Sequence, residues 1–376
     1  MSAAQPLRVL ANDFARQWGE IGEDALTAVD RVGRSGSLIL GEEVARFEQE
    51  LAAWWGVKYA VGVGNGLDAL EIALHCAGIP AGSQVLTTPL TAFATTLAVI
   101  RAGAEPVWCD VDETGGIDLE RAEEALHALP SIRAIIPVHL YGHPLDGDGL
   151  RRIAAEHGVV VIEDCAQSAG ASRAGEPTGV AGLLAATSLY PTKNLGTLGD
   201  GGVLLTADAA LAERARVLRN YGHADDGLHH GPGLNSRLDE LLAAILRSAL
   251  LPRLDRFLAR RREIAARYEE ALAGTRLRPI APGGGESAHH LFPIEVAEGD
   301  PAAVAAALRA EGITIGRHYP GLCNEQPAVA GVGVVSGSLD VASRLSEAEL
   351  SLPIHPFLDE GEVEQVIEAC HAACES

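Results

Sequence analysis

The stretch SLYPTKNLGTLGDGG (residues 188–202) contains a single lysine, Lys193, and one other charged residue, Asp200. Of the 29 basic residues in the chain, only Lys58 and Lys193 are lysines, and all the others are arginines. An arginine guanidinium supplies positive charge, but it cannot form a Schiff base or release its proton near neutral pH. A lysine kept in such a chain therefore indicates a required amine. Codon usage alone could also leave two lysines, so the surrounding sequence has to separate these explanations.

The sequence before and around this stretch alternates between short apolar runs and helical patterns. The apolar runs are KYAVGVG, QVLTTP, EPVWCDVD, IRAIIPVHL, VVVIED, AATSLY and GGVLLT. Between most of them lie segments with helical periodicity, such as LDALEIALHCAG and DGLRRIAAEHG. Runs that are apolar throughout are typical of parallel strands buried on both faces of a sheet. The pattern predicts an α/β fold with a mostly parallel sheet between layers of helices.

The C-terminal part has a different organisation. A long arginine-rich helical stretch covers residues 236–273, and the glycine-rich break APGGGESA follows at residues 281–288. After the break, HHLFPIEV, PAAVAAALRAEG, ITIGRHY and DEGEVEQVIEACHAA alternate between strand and helix patterns. A chain of 376 residues is also too long for one small hydrophobic core. We therefore predict a large domain over residues 1–250 and a smaller α+β domain over residues 251–376.

Composition and charge argue against several classes of protein. The formal net charge of −22 disfavours binding to nucleic acid or to an anionic membrane surface. No run reaches about 18 unbroken apolar residues, and the first residues lack the apolar core of a signal peptide. The six cysteines form no C-x-x-C pair, which is typical of reduced thiols, and no metal site is predicted. The sequence thus predicts a cytoplasmic protein with neither membrane nor nucleic-acid partners.

Polar or aromatic residues follow several predicted strands, where ligands of parallel sheets bind. After KYAVGVG, the turn at residues 65–68 opens a helix whose amides suit a phosphate. A dinucleotide fingerprint would need glycine at position 67, which is leucine. Asp164 ends VVVIED, where a carboxylate either caps a helix or pairs with a ligand cation. Phe93 follows QVLTTP and could stack on a flat ring, although core packing is the usual role of such a residue.

Together with Lys193, these features match one ligand. Pyridoxal 5'-phosphate requires phosphate anchoring, ring stacking, an acidic partner for its ring nitrogen and a lysine that forms a Schiff base. A phosphate cradle, an aromatic ring, a carboxylate and an amine all occur near strand ends in this chain. The combination favours the interpretation that Lys193 is retained for its amine.

Several motifs resemble those of the DegT/DnrJ/EryC1/StrS family, the sugar aminotransferases of the aspartate-aminotransferase-like fold. They are LGEEVARFEQELAAWWGVKYAVGVGNGLDAL, IIPVHLYGHP, EDCAQS, YPTKNLGTLGDGG, LRNYG, GLNSRLDELLAAIL and LSLPIHPFL. The likeness runs over nearly the whole length, and EDCAQS followed by YPTKNLGTLGDGG is highly specific. The resemblance implies a PLP-dependent transferase of fold type I. It also implies a transaminase that cycles between pyridoxal and pyridoxamine 5'-phosphate.

The resemblance assigns roles in the cofactor site. Lys193 would form the Schiff base, and Asp164 would pair with the pyridine nitrogen. Gln167 would hydrogen-bond the ring hydroxyl, and Phe93 would stack on the ring. By the same resemblance, Lys193 and Asp164 are the expected catalytic residues.

The resemblance also implies how the phosphate is held. The turn at Gly66 and Leu67 and the hydroxyl of Ser188 would bind it within one chain. Asn235 of GLNSRLDE would reach the phosphate of the neighbouring subunit, which implies a homodimer with shared active sites. A glycine-rich loop ahead of a helix can also be a simple surface connector.

The expected substrates follow from the family as well. The resemblance implies glutamate as the amino donor and a nucleotide-linked keto-sugar as the acceptor, in deoxysugar, antibiotic or cell-surface sugar biosynthesis. GNGLDAL with GLNSRLDE looks more like members that act on 3-ketosugars than on 4-ketosugars. His318 and Tyr319 of GRHYP fall where the family's small domain faces the sugar, although a strand end there could be purely structural.

Departures from the family pattern allow more than one class of acceptor substrate. Cys323 and Asn324 stand where many members carry a histidine, and Leu67 replaces a frequent threonine. A ketocyclitol of an aminoglycoside-type pathway is therefore an alternative acceptor. A sugar dehydratase of the same fold would have histidine at the position of Lys193, so the lysine argues against it. A non-catalytic PLP-binding regulator or partner subunit is the alternative from another class, and the intact cofactor set argues against it.

Overall fold

A computed structural model describes residues 9–375 and contains one large and two smaller sheets. The strands are β1 (Tyr59–Val63), β2 (Gln84–Thr87), β3 (Glu105–Trp108), β4 (Ile132–Ile135), β5 (Val160–Asp164), β6 (Ser172–Arg173), β7 (Glu176–Pro177), β8 (Leu184–Ser188), β9 (Gly202–Thr206), β10 (Leu277–Pro279), β11 (Phe292–Val296), β12 (Val334–Val335) and β13 (Glu349–Leu352). The large sheet has the order β1-β9-β8-β5-β4-β2-β3-β12. β9 runs antiparallel to both neighbours, and the other pairings are parallel.

The helices cover both faces of the large sheet and one side of a smaller sheet. They are α1 (Phe14–Ser35), α2 (Glu42–Trp55), α3 (Gly66–Cys76), α4 (Phe93–Arg101), α5 (Leu119–Ala128), α6 (Gly147–His157), α7 (Ala209–Arg219), α8 (Glu240–Ile245), α9 (Leu254–Leu272), α10 (Pro301–Ala310), α11 (Asp340–Ala348) and α12 (Glu360–Glu375). None of the helices within residues 9–375 has the length and apolar character needed to cross a membrane.

Neighbouring residues of one strand enter different hydrophobic cores. Val203 and Leu205 of β9 pack with α1, α2 and α8, whereas Leu204 packs with α3, α4 and α7. Side chains of a strand alternate between the two faces of the sheet, so the apolar run is buried on both sides. The mostly parallel sheet between helix layers agrees with the predicted α/β fold.

The helical stretch predicted over residues 236–273 is interrupted in the structure. A π-helical turn (Leu246–Leu250) and a 3-10 turn (Leu251–Arg253) separate α8 from α9. Pro252 lies in the 3-10 turn, and proline has no N–H for a helical hydrogen bond. α9 then links two cores, because Leu258 packs beneath the large sheet and Ile264 packs with the smaller one.

The second core surrounds the antiparallel sheet β10-β11-β13 and helices α9, α10 and α12. Val9 also packs there, although it precedes the large sheet in the sequence. The strand predicted from ITIGRHY does not form, because Ile313 bridges Val9 and Gly316 bridges Ser351 without a continuous ladder. The domain boundary after residue 250 stays a prediction. Its outer limits, residues 1–8 and 376, lie outside the described residues.

Candidate active site

Neighbouring parallel strands place three predicted site residues at one edge of the large sheet. Asp164 is the last residue of β5, and Ser188 is the last residue of β8. The two strands pair in parallel, so their carboxyl ends lie at the same edge. Lys193 lies in the turn after β8, where its backbone N–H donates to the carbonyl of Tyr190 at 2.8 Å. This edge is where ligands of α/β sheets bind.

The carboxylate of Asp164 is buried, with 5% of the residue exposed. Its Oδ1 accepts from the backbone N–H of Ala166 at 3.0 Å, and its Oδ2 accepts from the hydroxyl of Thr95 at 2.9 Å. Burial raises the pKa of Asp164, while these two hydrogen bonds and the charge of Lys193 oppose the rise. A cation bound beside the carboxylate would therefore be stabilised by it.

The amine of Lys193 loses its proton at a lower pH than the amine of a free lysine does. Its side chain is half-buried, and burial lowers its pKa to about 8 against the opposing charge of Asp164. Two histidines lie close to this amine. Burial first, and then the charge of Lys193, lower the pKa values of His290 and His318. A lysine with such a pKa can serve as a nucleophile or as a base.

Gly66 and Ser188 pack directly against each other at the start of α3. A Cβ atom added at Gly66 would lie 2.9 Å from the Cβ of Ser188, so a larger residue would require a shift. The side chain of Asn65 caps α3 by accepting from the N–H of Asp68 at 2.8 Å. The side chain of Leu67 packs against the core, which leaves its backbone amide for a ligand. The first amides of a helix have no intrahelical acceptors and attract anions.

Gln167 connects the end of β5 to the predicted substrate residues. Its side-chain oxygen accepts from the backbone N–H of Tyr141 at 2.6 Å, and its amide donates to the hydroxyl of Tyr319 at 3.0 Å. The hydroxyl of Tyr141 donates to the carbonyl of His318 at 3.0 Å. These bonds place His318 and Tyr319 against the loop that follows Asp164.

Phe93 and Asn235 occupy the margins of this cluster. Phe93 is the half-buried first residue of α4, two residues before the Thr95 that donates to Asp164. The side chain of Asn235 is exposed, whereas the other predicted site residues are buried or half-buried. Its neighbour Ser236 accepts from the N–H of Gly64 at 2.9 Å, close to the start of α3. The roles of Phe93 and Asn235 stay predictions.

Two buried side chains that the sequence analysis did not single out stabilise the end of β5. His139 and Glu163 are hydrogen-bonded at 2.9 Å, and Glu163 also accepts from the amides of Gly179 and Gly182. The backbone N–H of His139 donates to the carbonyl of Asp164 at 3.1 Å. The pair therefore fixes the strand end on which Asp164 stands.

Thr95, His290 and Asn194 were also missed. Thr95 sits in an ordinary helical pattern, so only the fold reveals its bond to Asp164. His290 Nδ1 and Asn194 Oδ1 are buried without a hydrogen-bond partner among the described residues. The pair of adjacent histidines in SAHHLF was the signal that could have drawn attention to His290.

The cluster fits pyridoxal phosphate. The amides at the start of α3 and the hydroxyl of Ser188 suit the phosphate, and Gly66 keeps that corner open. The buried carboxylate of Asp164 suits a protonated ring nitrogen, and the amine of Lys193 suits the carbonyl group of the cofactor. Groups for the phosphate, the ring nitrogen and the Schiff base are thus present at one sheet edge.

Two bacterial relatives match nearly the whole chain. A pleiotropic regulatory protein of Geobacillus stearothermophilus is 40% identical over 361 residues, which cover 95% of this chain and 96% of the relative. A dTDP-3-amino-3,4,6-trideoxy-α-D-glucose transaminase of Streptomyces venezuelae is 40% identical over 371 residues, which cover 98% of this chain and 97% of the relative.

Solved structures agree with these relatives. DesV of S. venezuelae, in complex with a ketimine intermediate, gives a TM-score of 0.92 at 40% identity, covering 98% of this chain and 99% of that one. NtdA of Bacillus subtilis, with bound cofactor PMP, gives a TM-score of 0.86 at 27% identity, covering 94% and 82%. The sequence profile of the DegT/DnrJ/EryC1/StrS aminotransferase family matches residues 19–371. The predicted family, fold class, enzyme class and cofactor are confirmed, and the chain belongs to this family as a PLP-dependent aminotransferase of fold type I.

Proposed function

We propose that the protein transfers the amino group of glutamate to carbon 3 of a nucleotide-linked keto-sugar. The transfer chemistry rests on one observation, the buried carboxylate of Asp164 at the end of β5 with the amine of Lys193 in the turn after the paired strand β8. The 40% identity to a transaminase named for a dTDP-3-amino sugar supports the acceptor class and the carbon. Biosynthesis of deoxysugars, including those of antibiotics, is the setting that this relative suggests.

The residues around the cofactor have distinct tasks in this proposal. The amides of Gly66 and Leu67 and the hydroxyl of Ser188 hold the phosphate. Phe93 stacks on the ring, and Gln167 hydrogen-bonds the ring hydroxyl. These residues would hold the cofactor at the sheet edge that carries Lys193.

Asp164 and Lys193 carry the proton chemistry. When bound, pyridoxal phosphate supplies an electron sink and carries the amino group between the two half-reactions. Asp164 holds a proton on the ring nitrogen, which its buried carboxylate stabilises. The amine of Lys193 would hold the cofactor and, as a base, would move a proton to and from the substrate carbon. Its pKa of about 8 allows it to do so near neutral pH.

The acceptor side of the site differs from the usual family pattern. The thiol of Cys323 is buried and donates to the carbonyl of Thr91 at 3.3 Å, and burial raises its pKa to about 11. Asn324 Oδ1 is buried with no hydrogen-bond partner among residues 9–375. We assign His318, Tyr319 and this amide to the acceptor. Because Cys323 and Asn324 differ from the family pattern, a ketocyclitol stays the alternative acceptor.

Assembly and location complete the proposal. The enzyme works as a homodimer in which the exposed Asn235 binds the phosphate in the partner's site. It works in the cytoplasm, because all six cysteines are unpaired thiols and such thiols are typical of reducing compartments.

The proposal can be tested by spectroscopy of the protein loaded with pyridoxal phosphate. The yellow absorbance at about 420 nm should bleach when glutamate is added. dTDP-3-amino-3,4,6-trideoxy-α-D-glucose, which runs the acceptor half-reaction in reverse, should bleach it too. A 4-amino isomer and an aminocyclitol serve as comparisons. Bleaching by the aminocyclitol alone would support the ketocyclitol alternative. No bleaching by any amine would favour a regulatory role, as named for the G. stearothermophilus relative.

Asp164→Asn should bind the cofactor but lose most of the rate, because an amide cannot hold the proton on the ring nitrogen. Loss of a charge-assisted hydrogen bond of about 2–3 kcal/mol corresponds to a roughly 30- to 150-fold slower turnover. The measurement is steady-state transamination at saturating cofactor.

Asp110→Asn is the matched control for this change. Asp110 is also a buried aspartate beyond a strand of the same sheet, but it accepts from the N–H groups of Val341 and Ala342 at the start of α11. It serves as a helix cap, so the variant should lose stability and keep its turnover when folded. If Asp164→Asn and the wild type had the same turnover, a residue other than Asp164 would have to hold the proton on the ring nitrogen.

A further inference from the structure

Glu349 and Ser351 form a hydrogen-bonded chain behind the ring of His318. The hydroxyl of Ser351 contacts both Nδ1 of His318, at 2.8 Å, and Oε1 of Glu349. The second carboxylate oxygen, Oε2, accepts from the backbone N–H of His318 at 2.6 Å. Glu349 and Ser351 stand two residues apart on β13 and are 1% and 4% exposed. The chain is thus built from buried groups of one strand face.

The chain has a defined direction. Above about pH 7, the raised pKa of Glu349, its carboxylate is ionised and only accepts hydrogen bonds, so the hydroxyl of Ser351 donates its one proton to Glu349. Ser351 then has no proton for Nδ1 of His318, and Nδ1 must donate to the hydroxyl oxygen. A neutral imidazole carries one proton, so Nε2 is left as an acceptor. Burial lowers the pKa of His318 to about 4, which keeps the ring neutral at physiological pH.

Nε2 of His318 is the ring nitrogen that takes no part in the hydrogen bonds to Ser351 and Glu349. It makes no hydrogen bond to any residue between 9 and 375. The ring is half-buried, so part of it is open to a ligand. The ring lies near Lys193, whose charge contributes to its lowered pKa. Gly316 leaves space for the ring, because a Cβ atom there would lie 2.8 Å from Cε1 of His318.

We propose that Glu349 and Ser351 are positioning residues that hold His318 as the Nδ1–H tautomer, so that Nε2 accepts a hydrogen bond from a hydroxyl of the acceptor. This inference rests on the proposed function and specifies the polarity of one contact in its acceptor site. A site that accepts a hydrogen bond selects an acceptor with a hydroxyl donor at that position. It disfavours an analogue that lacks the hydroxyl by the free energy of that one hydrogen bond.

The tautomer can be observed without any substrate. Neutron diffraction from deuterium-exchanged crystals of the holoenzyme shows which ring nitrogen of His318 carries the deuteron. Burial raises the pKa of Glu349 to about 7, so the crystals are kept at a pH of about 8.5, where the carboxylate is ionised. We expect deuterium on Nδ1 and none on Nε2. Deuterium on Nε2 in the wild type would overturn the proposal.

Glu349→Gln provides a sharper form of this experiment. The glutamine oxygen still accepts from the backbone N–H of His318, so its amide nitrogen faces Ser351 and donates to the hydroxyl. The hydroxyl of Ser351 then donates to Nδ1, and the ring proton moves to Nε2. The variant keeps the size and packing of the side chain while it reverses the direction of the chain. Deuterium that stays on Nδ1 in this variant would contradict the positioning role.

The kinetic consequence is confined to one half-reaction. Glu349→Gln should slow bleaching by the most reactive amino sugar or aminocyclitol of the panel about three- to tenfold, the effect of one lost hydrogen bond. Bleaching by glutamate should be unchanged. Ser351→Ala should show the same selective loss, and Ser351→Thr, which keeps the hydroxyl, should restore the rate.

Glu295→Gln is the control, because it removes a different carboxylate from the same small sheet. Glu295 pairs with Glu349 across β11 and β13, and its side chain binds Arg344. This variant should bleach at the wild-type rate with both amines. Equal loss in both half-reactions, or no loss in Glu349→Gln, would overturn the positioning role. If wild type bleaches with no amine, the proposed function fails instead, while the neutron result still decides the tautomer.

Discussion

Lys193→Arg should abolish steady-state transamination while the fold and the positive charge are retained. A guanidinium cannot form the imine with pyridoxal phosphate, and it does not release its proton near neutral pH. We expect turnover to fall by at least about a thousandfold, since both the attachment and the proton transfer are lost. The spectrum should lack the absorbance of the lysine-bound cofactor at about 420 nm.

Lys58→Arg makes the same chemical change at the other lysine of the chain. Lys58 is exposed and lies in the connection between α2 and β1, away from the strand ends that carry the site. This control should keep the spectrum and the rate of the wild type. Steady turnover by purified Lys193→Arg would show that another group holds the cofactor. It would also show that the lysine at residues 188–202 is not required for its amine.

The large sheet could be predicted from the sequence because its strands are buried on both faces. Each of the seven apolar runs that indicated a strand overlaps a strand of the large sheet, namely β1 to β5, β8 or β9. Burial on both faces demands apolar residues at every position, and this leaves a strong local pattern. Asp164 at the end of β5 and Lys193 after β8 could then be identified as site residues by the rule that ligands bind at the carboxyl ends of the strands.

Other features depend on contacts that no local pattern encodes. Thr95, which donates to Asp164, is separated from it by 69 positions and lies in a helix of ordinary composition. His318 was singled out through the family resemblance, but its bonds to Ser351 and Glu349 join residues more than thirty positions apart. ITIGRHY has the composition of a strand, yet it forms only isolated bridges. Tertiary pairing decides such segments, so their intrinsic propensity is a weak guide.

Two inactive variants should restore activity to each other if the active sites are shared between subunits. Lys193→Ala removes the amine from its own site. Asn235→Asp places a carboxylate against the cofactor phosphate in the partner's site, and the like charges should prevent binding. Each homodimer then carries the same defect in both sites and should be inactive. The exposed position of Asn235 makes its reach to a second subunit possible.

In a mixed dimer the two defects fall into the same site. The Asn235→Asp chain supplies an intact Lys193, and its partner supplies an intact Asn235, so the other site has neither defect. Equal parts with complete subunit exchange give about half mixed dimers, each with one working site. Activity should therefore recover to roughly a quarter of the wild-type value. A mixture of Lys193→Ala with Lys193→Arg is the control and should stay inactive, because no arrangement of its chains contains an intact lysine. If labelled subunits demonstrably exchange and both variants are folded, an inactive mixture would show that Asn235 serves its own chain. In that case the segment between α7 and α8 would be a surface connector, and each subunit would have to complete its phosphate site alone.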